Sequence, residues 1–213
     1  MQPRFSFVLL VIAACGDDGN TPVDAGITVD ARPDAVPDAS ADANLGMPLV
    51  GTWVKSPDAY TDQGYQSLTF RADGTVTIVT PNGTQNRAYV VPAPGRLRII
   101  VGADFQETSF VTLNDQALFD AVLPQGQVTG VVGTWTTTLG FDTGLVTASL
   151  AIAADHTFTG MTMSASDGST FSGTWAAEGT GLLMTYTTPS AHTEHIRALG
   201  ALGLGPNLLT KQP

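Results

Sequence analysis

Leu68, Phe70 and Ala72 alternate with Thr69 and Arg71, Asp73-Gly74 interrupts, and Val76 and Ile78 then alternate with Thr75 and Thr77. A period of two puts one set of side chains on each face of a strand, and glycine supplies the positive φ that a tight hairpin turn needs. The pattern recurs. Asn82-Gly83 repeats the device, and glycine-bearing turns arrive every eight to twelve residues from Pro48 onward. Further strands are expected over 87–91, 97–101, 109–113 and 117–123, and then over 146–153, 157–163, 170–177, 182–187 and 193–199. No stretch carries a 3.6-residue apolar period between charged faces, so helices should be few. Short hairpins in series make antiparallel neighbours, and such a sheet hides its edges by closing on itself. The expected class is all-β, an antiparallel up-and-down barrel.

Laid on itself at an offset of 82, the chain aligns Gly51-Thr52-Trp53 with Gly133-Thr134-Trp135 and carries Leu68, Phe70 and Asp73 onto Leu150, Ile152 and Asp155. An offset of 86 then places Tyr89, Gly95 and Leu97 on Trp175, Gly181 and Leu183. Two β repeats are expected, over 48–125 and 130–213, joined by a short stretch at 125–132. They are expected to pack as one barrel or a tightly joined pair, with two separate small barrels as the alternative.

Gly-x-Trp opening the first strand, a Leu-x-Phe-x-x-Asp-Gly hairpin and a later Gly-x-Trp strand resemble the lipocalin-like domains common in bacterial lipoproteins. Gly51, Trp53, Gly133, Trp135, Gly173 and Trp175 carry the resemblance. It implies a barrel whose mouth takes a small apolar or amphiphilic ligand, and a late arginine over the first tryptophan. Arg197 is the only late arginine. The tryptophans themselves read first as core packing, since buried aromatics mostly supply area.

The N-terminus says where such a body would sit. Residues 1–4 are polar with one positive charge, and 5–14 form an apolar run in the shape of a secretory signal peptide. At 1.5 Å per residue that run covers about 15 Å, half the hydrocarbon thickness, which disfavours a permanent spanning helix. Ile12-Ala13-Ala14-Cys15 resembles the lipobox of bacterial lipoproteins, and the resemblance implies a diacylglyceryl group on Cys15 and attachment to a cell-envelope membrane. The alternative is an ordinary signal peptide cut near Ala14. Cys15 is the only cysteine, so no disulfide can form within the chain. Between 16 and 44 lie seven Asp against one Arg, with Asp-Ala dipeptides at Asp24, Asp30, Asp34, Asp38 and Asp42 interleaved with Pro22, Pro33 and Pro37. So few large apolar groups cannot offset ordering entropy, and 15–47 reads as a disordered linker. Calcium binding by these aspartates lacks the glycine turns and ligand spacing of known loops.

The formal net charge of −10 argues against nucleic acid, whose phosphates require stripes of Lys and Arg. Chemistry is sparse. His192 and His195 are three apart, so a strand points them to opposite faces. His156 occupies the turn position matching Gly74. No serine stands in a Gly-x-Ser-x-Gly elbow, and the glycine-rich pieces, including 200–205, read as turns rather than phosphate cradles. Arg96 and Arg98 share one face of a strand and could meet an anionic headgroup, or could be the wet face of a sheet. No catalytic residue, metal ligand or cofactor is expected. The sequence therefore points to a lipid-anchored, non-catalytic binding domain, with a filled barrel serving protein interaction as the alternative.

Overall fold

The computed structural model describes residues 49–55 and 64–213. The signal segment 1–14, Cys15 and the linker 15–47 lie outside the described residues. Sixteen strands account for nearly all regular structure. The first eight are β1 (Gly51–Lys55), β2 (Ser67–Phe70), β3 (Thr75–Thr80), β4 (Gly83–Ala93), β5 (Arg96–Val101), β6 (Asp104–Leu113), β7 (Gln116–Phe119) and β8 (Leu123–Pro124). The rest are β9 (Gly133–Phe141), β10 (Gly144–Ile152), β11 (Thr157–Met163), β12 (Gly168–Glu178), β13 (Gly181–Thr188), β14 (His192–Ala198), β15 (Leu204–Gly205) and β16 (Asn207–Lys211). All named pairings are antiparallel, as short hairpins in series dictate.

Strands β1 to β6 pair in sequence, β6 pairs β7, and β16 fills the gap between β7 and β1, closing an eight-stranded barrel. Its interior is aromatic. Phe119 lies 6.3 Å edge-on from Trp53 and stacks with Phe70 at 5.8 Å and Phe110 at 6.0 Å, while Tyr89 meets Phe70 edge-on at 4.9 Å. The Asp73-Gly74 turn forms as expected, with Gly74 at φ 79° and Asp73 Oδ1 accepting from both the backbone N and the hydroxyl of Thr75.

Strands β9 to β15 form a second curled sheet, joined to the first through β6 and β9 at Gln106↔Phe141 and Glu107↔Gly140. The stretch 122–124 bridges its two ends. Val122 exchanges backbone hydrogen bonds with Leu204 (2.8 and 3.0 Å), and Leu123 and Pro124 pair with Thr136 and Trp135 of β9. The strands thus form one continuous sheet, part of it closed as a barrel and the rest curled beside it. A second core gathers around Trp135, Leu150, Phe158, Leu182, Met184 and Tyr186.

Space and sequence divide differently. The strand completing the first barrel comes from the C-terminal half, and the stretch bridging the second comes from the N-terminal half. The two crossings touch: a Cβ on Gly205 would meet Asp120 O at 3.1 Å and Phe119 O at 3.3 Å, so any side chain there would press the crossing apart by a few tenths of an ångström. Asn207, just past one crossing, donates through Nδ2 to the carboxylate of Asp120 in the other at 2.7 Å. Asp120 itself has φ 56°, which breaks the expected strand 117–123 into two pieces that serve different sheets.

Candidate functional site

On each strand of the second sheet, the residues out of phase with the core face outward. Direct cross-strand pairs line up Thr134, Ala151, Thr159, Ser172 and Thr188 in one row across five strands, and Thr136, Ser149, Met161 and Thr170 in the next. A register shift between Ser172 and Gly173 bends β12 against β13, as bulges do. The result is an open depression of about 470 Å³ lined by those two rows without Thr136, together with the edges of Gly160 and Phe171. No charged side chain lines it, and no Lys or Arg occurs between Arg98 and Arg197. Met161 on this face is 42% exposed, and Met163 and Leu145 nearby are 54% and 64% exposed. The surface offers hydroxyl donors and acceptors around a soft apolar centre.

Inside the second barrel a polar cluster interrupts the core. Burial, and then the neighbouring Glu194 carboxylate that accepts its hydrogen bond, hold the Tyr186 hydroxyl far above the ordinary phenol range. Its proton thus stays on the hydroxyl, which donates to Glu194. His192 stacks on Tyr186 at 4.3 Å with the rings 8° apart, and its Nε2 lies 3.4 Å from Glu194 Oε1. Its Nδ1 faces Ser190 O at 2.9 Å, and since a carbonyl only accepts, Nδ1 carries the proton. The interior cavity beside this cluster measures about 20 Å³ and is lined by Asp120, Leu150, Met184 and Tyr186 among others. That is room for about one water.

The residues of the Gly-x-Trp pattern all serve packing. Trp53 and Trp135 are buried to 1% and 0% exposure, and each donates Nε1 to the carbonyl four residues earlier, Leu49 at 2.7 Å and Val131 at 2.9 Å. Gly51 and Gly133 have φ 128° and 149°, and a Cβ there would strike Lys211 and Val128. Gly173 leaves space for the Phe158 ring and the carbonyl of Thr185. Trp175 is half-buried against the second core and donates to Ala153 O at 3.0 Å. The cation over Trp53 is Lys211, with Nζ 5.4 Å from the ring centroid. Arg197, expected there from the resemblance, is buried on β14 and donates to Thr180. It belongs to the second sheet, too far along the topology to reach the first tryptophan.

The histidines point to opposite faces, His192 to Glu194 and His195 Nδ1 to Glu178 at 2.7 Å. His156 sits exposed at φ 66° and packs on Trp175 at 4.7 Å. Among the described residues no group of three or more His, Cys, Asp or Glu converges as a metal site. Arg96 and Arg98 are engaged by Glu107 at 2.7 and 2.8 Å, and Arg96 also donates to Thr138 O at 2.6 Å across the seam between barrels. They clamp the seam.

Sequence reasoning missed the depression, although its signal was present as the phase opposite Trp135, Leu150 and Phe158. It also missed the Tyr186-Glu194 pair, which nothing in spacing announces. No family model matches the chain, and no curated protein or solved structure matches it significantly.

Proposed function

We propose that this chain is a lipid-anchored cell-envelope protein, held at a membrane through Cys15, whose body is a non-catalytic binding module that takes its ligand on the outer depression of the second barrel. The observation carrying this reading is the distribution of space: about 20 Å³ in the interior against about 470 Å³ outside. Ligand pockets run from about 300 to 1,000 Å³, a range that includes the outer depression and not the cavity beside Tyr186. The lining suits a small amphiphile with a neutral, hydroxyl-bearing head and an apolar portion laid against Met161. The lipobox-like run ending at Cys15 supports the anchor, since two or more acyl chains hold a protein stably at a bilayer. A second reading is a protein-interaction lipoprotein with no small ligand, favoured by filled cores and by exposed Leu145, Met161 and Met163.

Methyl resonances separate these readings. With methionine methyls labelled, octyl glucoside titrated below its micelle concentration should shift Met161 and Met163 and leave Met184, 1% exposed inside the barrel, in place. Movement of Met184 alone would put the ligand inside and overturn the proposed location. If no methyl moves with any neutral amphiphile, the protein-interaction reading replaces it. Separately, Cys15→Ser should release the protein from membranes on fractionation, and full retention would remove the anchor.

A further inference from the structure

The apolar part of the depression does not stop at Met161. Met163 follows two residues on along β11, and Leu145 lies one strand over, two residues beyond Thr147, which is the cross-strand partner of Met163. All three point away from the core, and their exposure rises outward in that order. The line is one side chain wide. Ser149 and Thr170 flank Met161, and Thr147 and Gly168 flank Met163. Beyond Leu145 the line meets a wall: its partner Gly140 is covered by β6, where a Cβ on that glycine would meet Glu107 Cβ at 3.1 Å and Phe105 Cε2 at 3.5 Å. No cation is available along it. The turns at this end carry Asp142 and Asp167, and Arg98, 4.5 Å over the Phe105 ring, is bound by Glu107.

We infer that this line seats one alkyl chain, so that the ligand class is a neutral single-chain amphiphile with its head among the hydroxyl rows and its tail running out over Met161, Met163 and Leu145. The inference rests on the depression being the ligand site. Register sets the length. Two strand residues advance about 7 Å, so Met161 to Leu145 is about 14 Å along the strands. An extended chain of single bonds near 1.5 Å advances about 1.3 Å per carbon, which makes the matching tail about eleven carbons long. A line one side chain wide leaves the second chain of a two-chained lipid in water. An anionic head meets no cation in the depression, and the nearby turns repel it.

The test uses n-alkyl maltosides from butyl to tetradecyl, each kept below its micelle concentration, against the full-length chain carrying Cys15→Ser with methionine and leucine methyls labelled. Butyl maltoside should move Met161 alone, octyl maltoside Met163 as well, and undecyl maltoside Leu145 too. One side of the chain stays in water, so affinity should rise about two-fold per carbon, the square root of the gain for a fully buried methylene, and level off past undecyl. Decanoate should bind at least several-fold more weakly than decyl maltoside, and equal binding would overturn the neutral head. If Met161 moves with every maltoside while Met163 and Leu145 stay in place at every length, the ligand sits in the depression but its tail leaves by another path, and this inference falls alone. If no methyl moves with any of them, the depression is not the site and both readings fall together.

Discussion

The closed barrel and the second curled sheet differ in what fills and coats them. The first is packed with stacked rings around Phe119, and among the described residues it carries most of the cations: Lys55, Arg71, Arg87, Arg96, Arg98 and Lys211. The second has one arginine, buried Arg197, sets the Glu194 carboxylate against Tyr186 within its core, and presents hydroxyl rows outward. Each interior holds a buried polar pair, Tyr65 with Asp120 in the first and Tyr186 with Glu194 in the second, so the clearest difference is the uncharged outer face of the second sheet.

The largest effect expected is from removing 207–213, which takes away buried Leu208 and Leu209, each worth ~2–5 kcal/mol. Hydrogen exchange should show protection lost in β2–β5 and kept in β10–β13. Equal loss in both would make the barrels a single cooperative unit. Next, Trp53→Ala and Trp135→Ala should each cost ~3–5 kcal/mol in urea unfolding. Two separate transitions, each moved by one variant, would sharpen the division, and one shared transition would erase it.

The buried acids follow. Burial raises the Asp120 carboxyl above its ordinary range, against the opposing hydrogen bonds from Thr108, Asn207 and Tyr65. Its folded form therefore holds a proton that the unfolded chain has released. The stability it contributes is present at low pH and is lost as pH rises from the unfolded value through the raised folded one. Asp120→Asn should flatten this slope in unfolding measured from pH 3 to 7, at a cost of ~1–3 kcal/mol for the partners it disturbs. Glu107 has the opposite sign. Burial works to raise it, yet the hydrogen bonds from Arg96 and Arg98 outweigh that and leave it lowered, so its contribution is lost as pH falls through the folded value. Glu107→Gln should cost ~1–2 kcal/mol and loosen the seam. The smallest effects belong to the matched turns. Asp73 and Asp155 each accept from the threonine two residues on, at the same 2.6 Å to the hydroxyl, and Asp73→Ala and Asp155→Ala should shift the midpoint slightly and by equal amounts.

Hairpins were legible because both the period of two and the turn residue are local. The expected strands 157–163 and 97–101 coincide with β11 and nearly with β5. The stretch 200–205 was different. Read as a glycine-rich turn, it contains β15, whose two residues are too few to show any period, and its glycines serve the close crossing instead. The depression was visible only as the other phase of strands whose core phase was recognised, since alternation marks two faces without saying which one bends inward.

Composition and order thus determined the all-β class, the hairpins, the positions of Trp53 and Trp135, and the expectation of a lipidated Cys15. Those properties depend on neighbours a few residues apart. Tertiary structure alone decided which strand closes the barrel, that the cavity beside Tyr186 holds only about 20 Å³, and that the second sheet hollows on its outside. The closure depends on segments more than eighty residues apart meeting at one crossing, as Asp120 and Asn207 do, and the hollow on how strands from Thr134 to Thr188 bend side by side; no local pattern records either.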